Sequence, residues 1–326
     1  MKAVFMSIVR AFQCDWCEEL DADQYAGNEV GTRNGSEVYC DDCTESYTWS
    51  CEDCEQTFNE TVEHYDYRCE ECHEAREDMT VKRHDYKPDS WTMHGEGVAF
   101  YGIELEMEAK NSRADAVDFV ATTVADNVAI MKEDGSLSSE GFELVSHPHT
   151  FEKWNETSSE WSALLMQLEA RGMNAWNQQS CGLHVHMTRK GMKPSHQTRF
   201  GLLFSRNVAD WQSVARRQSS FANFAGEGET VKKVKQFYQC SHFDAVNFSN
   251  RDTIEVRIWR PSLNFKRVLG SIALVHFARE YTAALTAHDV LQGALEWPRF
   301  TAWVEAQGHS EANVLLRGGA FEGLVA

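Results

Sequence analysis

No GxxxxGK[ST] run occurs anywhere in the 326 residues, so the chain does not hold nucleotide phosphates in a P-loop. Nor is there an apolar run long enough to cross a bilayer. The most apolar stretch, Val268 to Ala278, reads as a buried helix. Nor does any stretch resemble a secretory leader: the apolar start from Ala3 to Val9 is broken by Ser7 and meets Arg10 and a cysteine motif in place of a cleavage site. The expectation is a soluble, cytoplasmic protein with no membrane partner. Basic residues are scarce at the start. Residues 1 to 90 hold 8 Lys and Arg against 23 Asp and Glu, a net of −15, whereas residues 91 to 326 hold 23 against 27, a net of −4. A field of that sign repels nucleic-acid phosphates and anionic lipid, which argues against both as partners and leaves a cationic protein segment open. Internal repeats and low-complexity tracts are absent, and the length suits one large domain or two smaller ones.

What is abundant is cysteine in pairs. Eight of the ten form CxxC motifs, Cys14 with Cys17, Cys40 with Cys43, Cys51 with Cys54 and Cys69 with Cys72, with 22 and 14 residues between the first two pairs and the last two. Two residues between thiolates set both sulfurs on one tetrahedral ion, so the pattern fits two zinc sites of four cysteines each. A disulfide framework would need an oxidising compartment. Pairing in sequence order is the simplest assignment, and a cross-braced one stays open; His64 and His73 are less natural ligands than the eight thiolates. Four thiolates close each coordination sphere, which makes such zinc structural. Around them lie few large apolar residues beyond aromatics such as Trp16, Tyr25, Tyr39, Tyr47, Trp49 and Phe58, so metal would supply most of this module's folding energy.

Four later segments place acid, imidazole and guanidinium groups where one sheet face would collect them. In YGIELEME, alternation sets Glu104, Glu106 and Glu108 on one face and Ile103, Leu105 and Met107 on the other. Successive same-face residues lie about 6 to 7 Å apart, so three carboxylates there need cations. LHVHM gives His184 and His186 one face, and TIEVRIW sets Glu255 and Arg257 against Ile254, Val256 and Ile258. EDGSLSSEGFELVS adds Asp134 before a Gly-Ser turn and Glu143 on a short strand. Carboxylates dominate and histidine is the minority. That donor mixture favours Mg²⁺ or Mn²⁺ over zinc, and a neighbouring guanidinium suits a phosphate.

The expected order is a zinc module at 1–73, a polar linker at 74–97 and a larger domain at 98–326. Within the last, periodicity predicts strands near Ala99 to Glu108 and Val128 to Lys132, and helices over Ser112 to Asp126, Thr150 to Ala170, Ser195 to Arg217, Asn264 to His288 and Pro298 to Gln307. Strand apolar alternates would pack on helices and polar alternates line a cleft, an α+β architecture.

These four motifs, in this order, resemble the amidoligase family, a branch of the superfamily of glutamine synthetase and glutamate-cysteine ligase; the match runs from about Phe100 to His288 and leaves out the zinc module. The resemblance implies a glutamine-synthetase-like antiparallel sheet holding ATP and two or three Mg²⁺ or Mn²⁺ ions, on which a carboxylate of an amino acid or peptide is phosphorylated and then attacked by an amine. It implies that Glu104, His184 and Glu255 hold the ion nearer the nucleotide, that Glu106, Asp134 and Glu143 hold the other, and that Arg257 clamps the transition state. Arg260 and His186 become additional phosphate or substrate contacts. Two other readings stand beside the ligase: a phosphotransferase of the same fold, and a non-catalytic zinc-dependent adaptor. Plainer assignments hold for Glu108 as a structural residue, for Cys181 and Cys240 as small unreactive residues, for Lys232, Lys233 and Lys235 as a solvated face, and for Trp154, Trp161 and Trp176 as core.

Overall fold

The computed structural model describes residues 12–318 except 19, 22–26, 33–34, 53, 65–66, 73–79, 177–179, 237–240 and 242. Tyr25, His73 and Cys240 lie outside the described residues. The chain divides into two compact units, Met1–Met79 and Thr80–Ala326.

In the smaller unit, β1 (Phe12–Gln13) and β2 (Leu20–Asp21) pair antiparallel, and β3 (Asn28–Thr32), β4 (Gly35–Tyr39), β5 (Thr48–Ser50) and β6 (Thr57–Asn59) form a second sheet in the order β4-β3-β6-β5. Among the described residues its apolar core is slight: Val30, Tyr39, Cys14 and Cys43. So few buried side chains cannot offset the chain entropy of ordering. The thiolates are the other means of holding it together.

The larger unit is a mixed α+β fold built on one eight-stranded sheet. Its path is β13 (Val246–Asn247), β14 (Thr253–Trp259), β12 (Leu183–Thr188), β8 (Tyr101–Ala109), β10 (Gly141–Ser146), β9 (Ala129–Lys132) and β7 (Val81–Lys82), with β11 (Met173–Asn174) pairing the end of β8. All pairs are antiparallel except β7 with β9. The alternation in the sequence has a direct physical outcome. Ile103, Leu105, Met107, Leu144, Val185, Ile254 and Val256 are buried in one core with the helix Phe265–Ala284. That helix is apolar on nearly every side, as a helix enclosed by others must be. Gly270 lets it approach the helix Ser310–Leu316, since a Cβ there would meet the Glu311 carbonyl at 2.9 Å.

Several expected elements change shape. Residues 80–97 carry strand and hydrogen bonds of the larger unit: Val81 and Lys82 pair with Met131 and Lys132, and the Thr92 amide donates to His147 Nδ1 at 2.9 Å. The expected helix from Thr150 splits into Phe151–Glu156 and Ser158–Ala170 at Thr157, whose hydroxyl bonds back to the Lys153 carbonyl at 2.8 Å. Pro194–Arg206 and Val208–Ala215 replace one long helix, because buried Asn207 donates its amide to the carbonyls of Leu203 and Leu295. Phe265–Ala284 ends before Ala287–Leu291, and the loose stretch after Gln218 contains a helix, Glu227–Lys235, that periodicity does not announce. Among the described residues, no helix is long and apolar enough to cross a membrane.

Candidate active site

The sheet's second face carries the polar alternates. Cross-strand partners share a face in an antiparallel pair, and the register aligns Glu104 with His184, Glu106 with Glu143, and His186 with Glu255. Two ligand clusters result. Glu104, His184 and Glu255 form the first, and Glu106, Asp134 and Glu143 the second; within each, one donor atom from every residue lies within 4.8 Å of the others. An octahedral Mg²⁺ with bonds of about 2.1 Å sets its ligands roughly 3.0 Å apart in cis and 4.2 Å in trans. Only a small inward shift separates these clusters from that geometry. Oxygen outnumbers nitrogen in both, which suits Mg²⁺ or Mn²⁺ and not a thiophilic ion.

His184 joins the two. Its Nδ1 is 3.1 Å from Glu104 and 3.5 Å from Glu255, while Nε2 is 3.5 Å from Glu106. His186 sits farther out, with Nε2 3.2 Å from Glu104 and 3.7 Å from Glu255 but without hydrogen-bond geometry to either. Arg257 Nη1 donates to Glu255 at 2.5 Å, and its buried Nε has no partner among the described residues. A guanidinium with one arm engaged and a buried N–H unmatched is poised for a further acceptor.

The charges are frustrated without cations. Burial, then the nearby Glu104 charge, pushes the Glu143 carboxyl up to about 8 against the opposing pull of Lys132. Burial raises Glu106 as well, outweighing the attraction of His184. Glu104 goes the other way: against a large desolvation cost, the nearby His186 charge and the hydrogen bond from His184 hold it well below the usual carboxylate range. For His186 desolvation is likewise overcome, and Glu104 and Glu255 raise it to about 9.

Four contacts at the site were not foreseen from the sequence. Lys132 reaches Glu143 at 3.1 Å from the adjacent strand, and Asn247 donates to Glu255 at 3.1 Å. The Gly182 amide donates to Glu106. Arg217 lies where any Gly182 side chain would be, since a Cβ there would meet its Nη1 at 2.6 Å and His184 Nε2 at 2.9 Å, and it donates to the Arg257 carbonyl at 2.9 Å. Lys132 ends a periodic apolar run and so carries a readable signal. Arg217 follows a helix end, and its neighbours in space are far away in sequence.

Other expected residues fall elsewhere. Glu108 accepts from Ser138 N at 2.8 Å and from the Ser138 hydroxyl at 2.5 Å, which ties the Asp134 loop to β8. Cys181 is buried, and desolvation followed by Glu106 pushes its thiol up to about 12, consistent with an inert residue. Among the described residues Arg260 contacts neither cluster and instead donates Nε to the Trp176 carbonyl at 2.8 Å. Trp154 and Trp161 are core, but Trp176 is not: it is half-buried and lines a cavity, because two guanidinium groups occupy its ring in place of apolar side chains. Lys233 is no free solvated cation either, reaching Asp244 at 2.7 Å and Glu229 at 2.8 Å.

In the smaller unit the thiols gather as Cys14, Cys17, Cys40, Cys43 and as Cys51, Cys54, Cys69, Cys72, each set within 4.8 Å, the sequential arrangement. None of them is in a disulfide. Sulfurs of Cys17 and Cys40, and of Cys54 and Cys69, stand 4.0 Å apart. Four sulfurs bound at about 2.3 Å around one ion would be about 3.8 Å apart. The Cys40 amide faces Cys14 Sγ at 3.3 Å and the Cys69 amide faces Cys51 Sγ at 3.5 Å, the kind of N–H donors that stabilise a thiolate. Both clusters could therefore bind zinc. His64 stacks on Tyr67 at 5.0 Å and belongs to neither.

No family model matches the sequence, and no curated protein does. Among solved structures, a GmaS/ADP complex is similar at 12% identity and a TM-score of 0.36, covering 67% of each chain. At that level the likeness is loose, and the chemistry of the site stands on its own residues.

Proposed function

We propose that this sheet face is the active site of an ATP-dependent carboxylate–amine ligase acting on an amino-acid or peptide carboxylate. The observation that carries the reading is the pair of oxygen-rich clusters sharing one strand, with the Arg257 guanidinium beside the first. When bound, divalent ions and ATP would supply charge neutralisation and the phosphoryl group. Glu104, His184 and Glu255 would hold one ion and Glu106, Asp134 and Glu143 the other. A substrate carboxylate oxygen attacks the γ-phosphorus as the bond to ADP breaks, giving an acyl phosphate. An amine then attacks the acyl carbon, and phosphate leaves with the oxygen that formed the bridge.

The chain's own part is positioning and electrostatics. Arg257 offers a fork to the oxygens that gain charge during transfer, and such preorganised donors act most strongly where water is excluded. His186, with Nε2 3.2 Å from Glu104, stands beside the first cluster as a further contact for phosphate or substrate. Zinc in the cysteine clusters would be structural, because four thiolates leave no open position.

Incubation with ATP, Mg²⁺ and pools of amino acids or short peptides should yield ADP, phosphate and a new amide. A stable phosphorylated product in the presence of amines would favour a phosphotransferase instead. Biological activity untouched by Glu104→Gln and Arg257→Lys, yet lost on Cys14→Ser, would favour an adaptor.

A further inference from the structure

Beside the second cluster lies a cavity of about 710 Å³ whose walls include Trp176, Cys181, Arg216, Arg217, Phe221 and Arg260. Its size is that of a small-molecule site. Its charge is unusual. The Arg260 guanidinium carbon stands 4.1 Å from the Trp176 ring centroid, and behind the wall the Arg267 guanidinium carbon stands 4.5 Å from the same centroid. Arg267 is only 3% exposed. Neither Arg260, Arg267 nor Arg216 has a carboxylate within ion-pairing distance among the described residues; Arg216 Nη2 donates to the Gly318 carbonyl and Arg260 to that of Trp176.

A buried guanidinium normally has an anionic partner, because removing the charge from water is costly without one. Here burial, then Arg216 and Arg260, depresses Arg267 to about 10. Two cations thus share one indole, with the Arg216 charge near enough to repel both. Stacking on Trp176 offsets part of the cost of burying a guanidinium, and no carboxylate among the described residues offsets the rest. Arg216 also holds a left-handed backbone, φ 53°, at a helix end where glycine is the usual occupant. From that position Arg216 lines the cavity. Two walls lead inward to the cleft: Cys181 precedes Gly182, whose amide binds Glu106, and Arg217 abuts Gly182 itself.

We propose that this cavity receives an anionic tail of the carboxylate substrate: a compact oxyanion of at least two negative charges, a carboxylate pair or a phosphate, recognised by Arg216 and Arg260 on the Trp176 plate. Naming this as a substrate subsite rests on the ligase reading; the capacity to bind a dianion does not. The cavity's tail end is distinct from the two ligand clusters, so the substrate spans from the arginines past Arg217 to the reacting centre.

The test is calorimetric titration of the full chain, without added magnesium, manganese or nucleotide, with glutarate, inorganic phosphate and acetate. At least one dianion should bind tenfold or more tightly than acetate, and which one wins distinguishes carboxylate from phosphate recognition. Arg260→Gln should weaken that binding at least tenfold. Arg267→Gln is buried and can compromise folding, so Arg216→Gln, at an exposed position, serves as the second variant and should weaken binding in the same direction. Equal binding of acetate, no dianion binding, or unchanged affinity in both Arg216→Gln and Arg260→Gln overturns the proposal. Glu104→Gln should leave the dianion titration unaltered. Arginine-dependent dianion binding in a chain that releases no ADP with any carboxylate and amine would sink the ligase reading and keep the pocket. ADP release with an amide product that is indifferent to both arginine variants would do the reverse.

Discussion

Replacing Gly182 by alanine separates the site from the fold. Its Cβ would stand 2.6 and 2.9 Å from Arg217 Nη1 and Nη2 and 2.9 Å from His184 Nε2, all inside the roughly 3.5 to 4.0 Å of a comfortable contact. No left-handed backbone strain is added, since Gly182 is not among the positive-φ residues. The Arg217 tip can swing away, so overpacking should cost about 1 to 2 kcal/mol, or a few degrees of melting temperature in a unit of this size. His184 cannot retreat so easily. It is 3% exposed and wedged between Glu104, Glu106 and Glu255. Tilting its ring should lower Mn²⁺ affinity at the first cluster by about 10- to 100-fold, the range typical of a disturbed ligand support. Mn²⁺ titration followed by electron paramagnetic resonance, with melting curves alongside, reads both effects. Two Mn²⁺ bound with wild-type affinity would refute the reasoning; a collapse of the fold would show Gly182 to be a packing residue first.

Three further outcomes follow from the same contacts. Arg257→Lys keeps the charge and loses the fork, so turnover measured by ADP release should fall roughly 10²-fold or more with a smaller change in ATP affinity; near-normal turnover would remove Arg257 from the chemistry. Burial lowers His149 and His276 to about 4. A group with a depressed folded pKa adds stability above its unfolded value of about 6.5 that is lost as pH falls toward 4, here up to about 3 kcal/mol for each histidine, so melting temperature should drop between pH 6.5 and 4, and His276→Gln should flatten that slope. Chelating zinc should unfold the unit that ends at Met79, seen as loss of its Trp16 and Trp49 signals, and leave the melting of the larger unit in place; a single cooperative loss of both would contradict it.

The site was legible in the sequence to the extent that period-two alternation carried it. Glu104, Glu106, His184, His186 and Glu255 sit on strands whose apolar alternates also had to be satisfied, so register fixed both faces at once. Local chemistry likewise announced the cysteine clusters and the Asp134 turn, whose Oδ1 accepts from the Ser136 amide at 2.8 Å. What stayed hidden depends on tertiary approach. Asn207 breaks a helix through a bond to Leu295, 88 positions along the chain. Trp176 acquires its guanidinium neighbours from the end of β14 and from the helix after it, and Arg217 is defined by the absence of a side chain at Gly182. No pattern of spacing encodes those meetings.

The central claim, that a carboxylate is activated on this face by phosphoryl transfer, has one direct test. Substrate pools carrying ¹⁸O in their carboxylates, incubated with ATP, Mg²⁺, amines and the enzyme, should deliver one ¹⁸O to each inorganic phosphate released, in step with ADP and a new amide. Phosphate free of label while ADP and amide accumulate would contradict an acyl-phosphate route, and with it the role assigned to the two clusters and Arg257.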